Sequence, residues 1–422
     1  MVILKMKSVF KKMFLSMICF IIFINITLSF ADDVEYNDLD DDNIIETSSI
    51  GTQTFNINAR SYIVLDRLSK NIIYGKNEFN KVKMASTTKI MTAAIIIENC
   101  DLNKTVEVSK RAAGTGGSRL GLKTGDKITI RDLLYSLMLC SGNDAAVALA
   151  ENCSGSITEF SNLMNKKAKE LGLTNSHFES PHGLDSDNHY TTAYELALLS
   201  DYALQNKTFL NVVGTKNYTV TINGNPKTLS NTNELLGNLL GVYGIKTGFT
   251  NGANRCLVTA CKRDDMDIIC VVLGCDTKKF RTQDSIKLIE YTFKNFEYIN
   301  IYKKINEEFE KWKLENINNF NIYKGTSNNL ELILSDLKNP IIPLKKDEIT
   351  LINITISSNN HLTAPLDENT AIGKITVTVN KNELISLDIL NDKLIEKKNL
   401  IHYILEILKK YSSISNSVSS LF

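Results

Sequence analysis

Apolar and polar positions divide this chain of 422 residues into stretches of different period. Residues 62–65 and 72–74 are short β-prone runs split by a polar stretch at 66–71, which predicts a hairpin. Residues 86–98 follow with Ile90, Met91, Ala93, Ala94, Ile95, Ile96 and Ile97. Apolar on nearly every side, that segment predicts a buried helix. From about 105 to 240 helical patterns dominate, with 144–151 and 161–171 as examples and Gly172 as a stop signal. β-prone runs return at 244–248, 257–260 and 266–273, with a polar turn at 262–265, and a helix is predicted over 282–296. The fold class implied is α+β: one antiparallel sheet built from the early hairpin and the three later strands, with a helical insertion between them. From about 300 to 390 the pattern changes to short strands and turns at 330–334, 349–356 and 372–379, which predicts a small all-β second domain. In the tail, Leu400, Ile401, Ile404, Leu405, Leu408 and Tyr411 share one helical face, flanked by Lys397, Lys398, Lys409 and Lys410. That pattern suits a helix lying on a membrane surface, and packing on the second domain is its alternative.

The N-terminus has a pattern of its own. Lys5, Lys7, Lys11 and Lys12 precede an apolar stretch at 13–30, and Ser29 and Ala31 are small residues ahead of Asp32 and Asp33. This predicts a secretory signal cleaved after Ala31. An uncleaved anchor fits less well, because Ser16, Asn25 and Thr27 interrupt the apolar run. Losing four lysines and no acids moves the formal charge from +1 to −3. Residues 32–58 read as a flexible acidic leader. With 48 basic and 47 acidic residues, the balance offers no basic face for nucleic acid. Eight cysteines are present, and Cys19 leaves with the signal. The remaining odd number, mostly in apolar runs, reads as buried small hydrophobes rather than a disulfide framework. His177, His182 and His189 lack the His-Glu-x-x-His spacing of a zinc helix, so neither a metal nor another cofactor is expected.

Three short motifs carry the chemistry: Ser86-Thr87-Thr88-Lys89, Ser141-Gly142-Asn143 and Lys246-Thr247-Gly248. Each recurs by chance, and a second Lys-Thr-Gly begins at Lys123, in what reads as a turn. Order and setting distinguish the set. Ser141 follows Ser86 by 55 residues and Lys246 follows Ser141 by 105. The first motif opens the buried helix, the second lies between helices and the third lies on a strand. Ser and Lys three apart on a helix share a face. A serine hydroxyl needs a base to become a nucleophile, and burial would favour the neutral, basic form of Lys89. Lys246 would push the same way. The helix N-terminus at Ser86 offers backbone N–H groups to a developing oxyanion. Ser141 is suited to relaying a proton to a leaving amine, and Asn143 to bonding a substrate amide.

This triplet is a known signature of β-lactamases and penicillin-binding proteins. Longer stretches, MASTTKIMTA, LCSGNDAAVALAE, SPHGL with HYTTAYELALL, and GIKTGFT, resemble the low-molecular-mass penicillin-binding proteins that are serine-type D-Ala-D-Ala carboxypeptidases. The resemblance runs from about 60 to 390 and implies a transpeptidase-like domain at 59–298, a β-rich domain at 299–391 and a membrane-anchoring tail at 392–422. It implies that Ser86 is acylated, that Lys89 is the base and that Ser141 and Asn143 complete the site. Lys246, Thr247 and Gly248 would line the substrate strand, and the N–H groups of Ser86 and Phe249 would form the oxyanion hole. Arg281 would bind the substrate's terminal carboxylate. His182 matches a family histidine, and a structural loop role suits it equally well. The implied partners are stem peptides ending in D-Ala-D-Ala, β-lactams as covalent inhibitors, and the outer face of a bacterial cytoplasmic membrane. The segment 251–255 departs from the family's Ala-Gly pair. A class A β-lactamase would need a Glu-x-x-Leu-Asn loop, which neither Glu195 nor Glu234 supplies, and an inactive homologue would have lost Ser86 or Lys89.

Overall fold

The computed structural model describes residues 56–419, with side chains as far as 409. The expected signal and nearly all of the leader lie outside the described residues. Two compact units emerge, one ending at Lys294 and one beginning at Asn295.

The first unit is built on a five-stranded antiparallel sheet. Its strands are β1 (Ser61–Asp66), β2 (Ile72–Lys76), β3 (Val242–Thr250), β4 (Asn254–Arg263) and β5 (Met266–Cys275), in the order β2-β1-β5-β4-β3. The hairpin β1–β2 comes early in the chain, yet β1 pairs with β5 along its whole length. β1 is buried at every position and β5 at all but one. Strands covered on both faces read as continuous apolar runs instead of an alternation. β3 pairs only with β4 in this sheet, so its other side is an open edge.

The insertion between β2 and β3 is helical. α1 (Lys89–Asn99) runs through its core, with Ile90, Met91, Ala93, Ala94, Ile95 and Ile96 buried. α2 (Ile130–Leu139) starts at Thr129, whose hydroxyl accepts from Asp132 N at 3.0 Å. α3 (Asn143–Ser154) follows after three residues. α4 (Ile157–Glu170) begins earlier than the apolar pattern suggested, because Ser156 caps it by accepting from Glu159 N, the Ser-x-x-Glu start signal. α5 (Ala193–Leu204) has the same start at Thr192 and Glu195. After β5, α6 (Lys278–Asn295) closes the unit.

The second unit centres on a four-stranded sheet of Leu332–Leu334, Asn382–Asn391, Thr370–Val379 and Ile352–Ser358, in that order. Its strand Thr370–Val379 alternates between buried and half-buried positions from Ile375 onward, after an irregularity in the pairing near Ala371, as a sheet covered on one face should. The unit also holds α7 (Ile301–Asn316), which the strand-and-turn reading of this region did not anticipate. Its buried residues Ile301, Ile305 and Phe309 recur every fourth position, one stripe of a helix covering the sheet-rich core. The tail forms α8 (Leu400–Ser419), and no residue at 400–409 is buried. Among the described residues, no helix is long and apolar enough to cross a membrane.

Candidate active site

Ser86 sits in a tight 3-10 turn, Ala85–Thr88, which leads into α1. The sequence suggested a regular helix start. Instead Ala85 has a φ of 47°, a left-handed conformation that is costly for any residue with a Cβ. The strain persists because the surroundings hold the turn. Thr87 Oγ1 donates to Met84 O at 2.5 Å, and Thr88 Oγ1 donates to Ala85 O at 2.8 Å. The ring proton of His189 completes the chain. Its Nδ1 accepts from Glu179 N at 3.0 Å, so the proton lies on Nε2, which donates to Thr88 Oγ1 at 2.8 Å.

Lys89, fully buried, occupies the first position of α1. Its Nζ lies 2.6 Å from Ser86 Oγ, 2.6 Å from Asn143 Oδ1 and 2.9 Å from His182 O. Asn143 opens α3 and is itself fully buried. Its Nδ2 donates to Gly116 O at 2.9 Å, so the amide spans between Lys89 and the 115–122 loop. That loop is tied to α3 by Asp144, whose carboxylate accepts from the N–H groups of Leu120, Gly121 and Leu122 at 2.8–3.0 Å. Ser141 has a φ of 61° and a buried Oγ that meets no hydrogen-bond partner among the described residues.

The third motif reaches the same place from the sheet. Gly248 on β3 lies so close to the turn that a Cβ there would stand 3.1 Å from Ser86 N and 3.2 Å from Ala85 Cβ. A side chain at this position would make the turn or the strand give way by a few tenths of an ångström, so glycine lets the edge pass this near without strain. Lys246 and Thr247 are buried beside it, with Thr247 Oγ1 2.7 Å from Thr232 Oγ1. Phe249 is covered by Arg255, whose guanidinium carbon is 3.7 Å from the ring centre. Arg281, on α6, is buried, and the nearest Glu234 oxygen is 3.9 Å from its Nη2. Glu234 also meets Lys278.

Among the described residues no cluster of His, Cys, Asp or Glu is built to hold a metal. The site therefore offers a buried serine–lysine pair, a second buried lysine and an open strand edge. A family model described as D-alanyl-D-alanine carboxypeptidase matches residues 47–277, more than half of the chain. The chain belongs to that family.

As a member of the D-alanyl-D-alanine carboxypeptidases, the protein is a serine-type hydrolase of the low-molecular-mass penicillin-binding group. A second model, Penicillin-binding protein 5, C-terminal domain, matches residues 296–397. The carboxypeptidase DacF of Bacillus subtilis is 34% identical over 325 residues, covering 76% of this chain and 81% of its own. DacA of Haemophilus influenzae is 29% identical over 364 residues, 82% of this chain and 88% of its own. The crystal structure of DacD from Francisella tularensis superposes with a TM-score of 0.68 at 25% identity, over 84% of this chain and 98% of that one.

Several residues of this carboxypeptidase site had no individual role in the motif analysis. Gly183 in SPHGL has a φ of 89°, and a Cβ there would fall 2.0 Å from Ala85 O. Together with Pro181 O, which accepts from Thr92 Oγ1 at 2.7 Å, it seats the 180–185 loop on the Ala85–Thr88 turn and the helix that follows it. Asp185 ties that loop to the turn after β3, accepting from Thr250 Oγ1 and Gly252 N, each at 2.7 Å. A Cβ at Gly252 would fall 2.7 Å from the same carboxylate, so the segment that departs from the family's pattern has its own anchor. Burial pushes the imidazoles of His182 and His189 down, to about 3 and about 4 respectively, and the Lys89 cation adds to the effect at both. Both rings are therefore neutral near pH 7, and His182 meets Lys89 through its carbonyl. The signals for these residues were present in SPHGL and HYTTAY, but only the folded loop shows what each one touches.

Proposed function

We propose that the protein removes the terminal D-Ala from peptidoglycan stem pentapeptides through an acyl-enzyme. The observation that carries this reading is the contact of Lys89 Nζ with Ser86 Oγ inside a buried pocket. In the proposed reaction the substrate lies antiparallel along the open edge of β3, as an added strand. Ser86 Oγ bonds to the carbonyl carbon of the penultimate D-Ala while its proton passes to Lys89, which enters this step as the neutral amine. Three oxygen acceptors then surround the new ammonium: Ser86 Oγ, Asn143 Oδ1 and His182 O. The backbone N–H groups of Ser86 and Phe249 hold the oxyanion. Ser141 Oγ, which has no hydrogen-bond partner among the described residues, passes its proton to the departing D-Ala amine and takes the proton of the Lys89 ammonium in its place, which returns Lys89 to the neutral amine. Water repeats the cycle on the ester, with Lys89 again the base.

Asn143 has both ends of its amide engaged, so it serves first as the brace for Lys89 and bonds substrate only by exchanging one of these partners. Lys246 and Thr247 line the strand that takes the peptide, and Arg281 receives the terminal carboxylate. A β-lactam would acylate Ser86 in the same way, but its amine stays tethered to the acyl group, so the ester blocks the site. Peptidoglycan maturation is the process this activity serves.

The same reading places the protein outside the cytoplasmic membrane, on the strength of the sequence at 1–31. The tail would lie on that membrane's outer face. In its support, Leu400, Ile401, Leu405 and Leu408 are each more than half exposed on α8, with basic residues at both ends of the stripe. The activity is tested by incubating the protein with a stem pentapeptide and following D-Ala release. Release that stops in Ser86→Ala supports the proposal, and a wild-type protein that releases none overturns it.

A further inference from the structure

α1 and α3 have similar lengths, 11 and 12 residues, and they meet at both ends. At their N-terminal ends the first residue of each is joined to the other, Lys89 Nζ to Asn143 Oδ1. At the opposite ends stand two cysteines. Cys100 is the residue that caps α1, its N–H bonding Ile96 O at 3.0 Å. Cys153 lies in the last turn of α3. The two side chains face each other closely enough that each thiol is the largest influence on the other's ionisation, and both thiols are free and half-buried. The odd cysteine count had pointed away from any pairing, but the helices bring these two together across 53 residues of sequence.

We infer that Cys100 and Cys153 form a disulfide when the chain meets a disulfide oxidant, tying the C-terminal ends of the two helices that carry the catalytic lysine and its asparagine brace. The contact between the thiols also divides their chemistry. The neighbouring Cys153 thiol holds the Cys100 thiol down, so Cys100 supplies the thiolate, while Cys100 pushes Cys153 up. The Cys100 thiolate attacks the oxidant's disulfide and releases one thiolate. Cys153 then attacks the Cys100 sulfur of the mixed disulfide and releases the second. The two protons of the original thiols pass to the two released thiolates, and two electrons pass to the oxidant. The other cysteines of the described residues are poorly placed to compete. Cys256, Cys261, Cys270 and Cys275 are buried in the sheet, and burial pushes each of their thiols up. Cys140 is held by Ser136, whose carbonyl oxygen accepts from its Sγ at 3.3 Å. Closing a loop of this length removes freedom from the unfolded chain, so the oxidised protein should melt about 5–10 °C higher than the reduced one.

The inference does not depend on the carboxypeptidase reading, and its test uses the wild-type protein. One sample is treated with oxidised glutathione and another with dithiothreitol. Both are quenched with N-ethylmaleimide, digested without reduction and mapped by mass spectrometry, and each is also melted before quenching. A Cys100–Cys153 linked peptide in the oxidised sample alone, with the higher Tm, is the expected result. Cys153→Ser should remove both the linked peptide and the Tm difference. Maleimide on both cysteines after oxidation, or a stable glutathione adduct on Cys100, overturns the proposal. A linked peptide with no change in Tm overturns the tie between the helices.

Discussion

α1 and α8 are both rich in apolar residues, and the protein treats them in opposite ways. In α1 every residue from Lys89 to Ile96 is buried, so its apolar side chains belong to the core and the lysine at its start has no exposed surface. In α8 Leu400, Ile401, Ile404, Leu405, Ile407 and Leu408 are 48–74% exposed, and Lys397, Lys398 and Lys409 around them are exposed or half-buried. The difference separates two uses of apolar surface. In α1 it closes the core behind the buried Lys89, whereas on α8 it is left exposed. Changes near α1 should therefore alter chemistry, and changes in α8 should alter location alone.

The largest effect is expected at Lys89. Lys89→Ala should slow acylation by a fluorescent penicillin by ~100-fold or more, with native circular dichroism, because it removes the proton acceptor. A near-wild-type rate in stopped-flow fluorescence would mean another group is the base. Arg281→Ala comes next. It should slow D-Ala release from a pentapeptide by about 10- to 100-fold, through loss of a charge-assisted bond worth ~1.5–3 kcal/mol. Cleavage of the amidated pentapeptide should fall much less. Equal loss on both substrates would make Arg281 a structural residue.

A smaller effect is expected at His189. The folded pKa is about 4 and the unfolded value about 6.5. Between the two, the unfolded chain takes up a proton that the folded chain refuses, so stability falls as the pH drops from about 6.5 to about 4. The contribution lost is on the order of 3 kcal/mol at most. His189→Gln should make this part of the pH profile shallower in urea titrations, with His182 supplying part of the remaining slope, and an unchanged slope would place the titrating group elsewhere. Deleting residues 392–422 should have the smallest effect on chemistry, leaving the rate of D-Ala release within about two-fold while moving the protein from the membrane to the soluble fraction. A truncated protein that still pellets with membranes would locate the anchor elsewhere.

Much of this organisation was legible because it depends on local pattern. The α+β class followed from the hairpin, the helical middle and the three later strands. The three motifs stood out by order and setting: the first opens a helix, the second lies between two helices and the third lies on a strand. What was not legible depends on contacts between distant segments or on conformations the residue type disfavours. Ala85 and Ser141 both take positive φ, and neither residue advertises it. The pairing of β1 with β5 joins opposite ends of the unit, and His189 reaches Thr88 from a loop about a hundred residues later. α7 was missed for a different reason: Ile301, Ile305 and Phe309 carry the helical period, but the β-prone runs that follow at 330–334, 349–356 and 372–379 set the reading of the whole region.

The central claim is that Ser86 is the nucleophile activated by Lys89. Intact-protein mass spectrometry after exposure to benzylpenicillin, followed by peptide mapping, tests it most directly. The account predicts one adduct of the whole antibiotic, on Ser86, absent from Ser86→Ala; an adduct that persists in Ser86→Ala would contradict it.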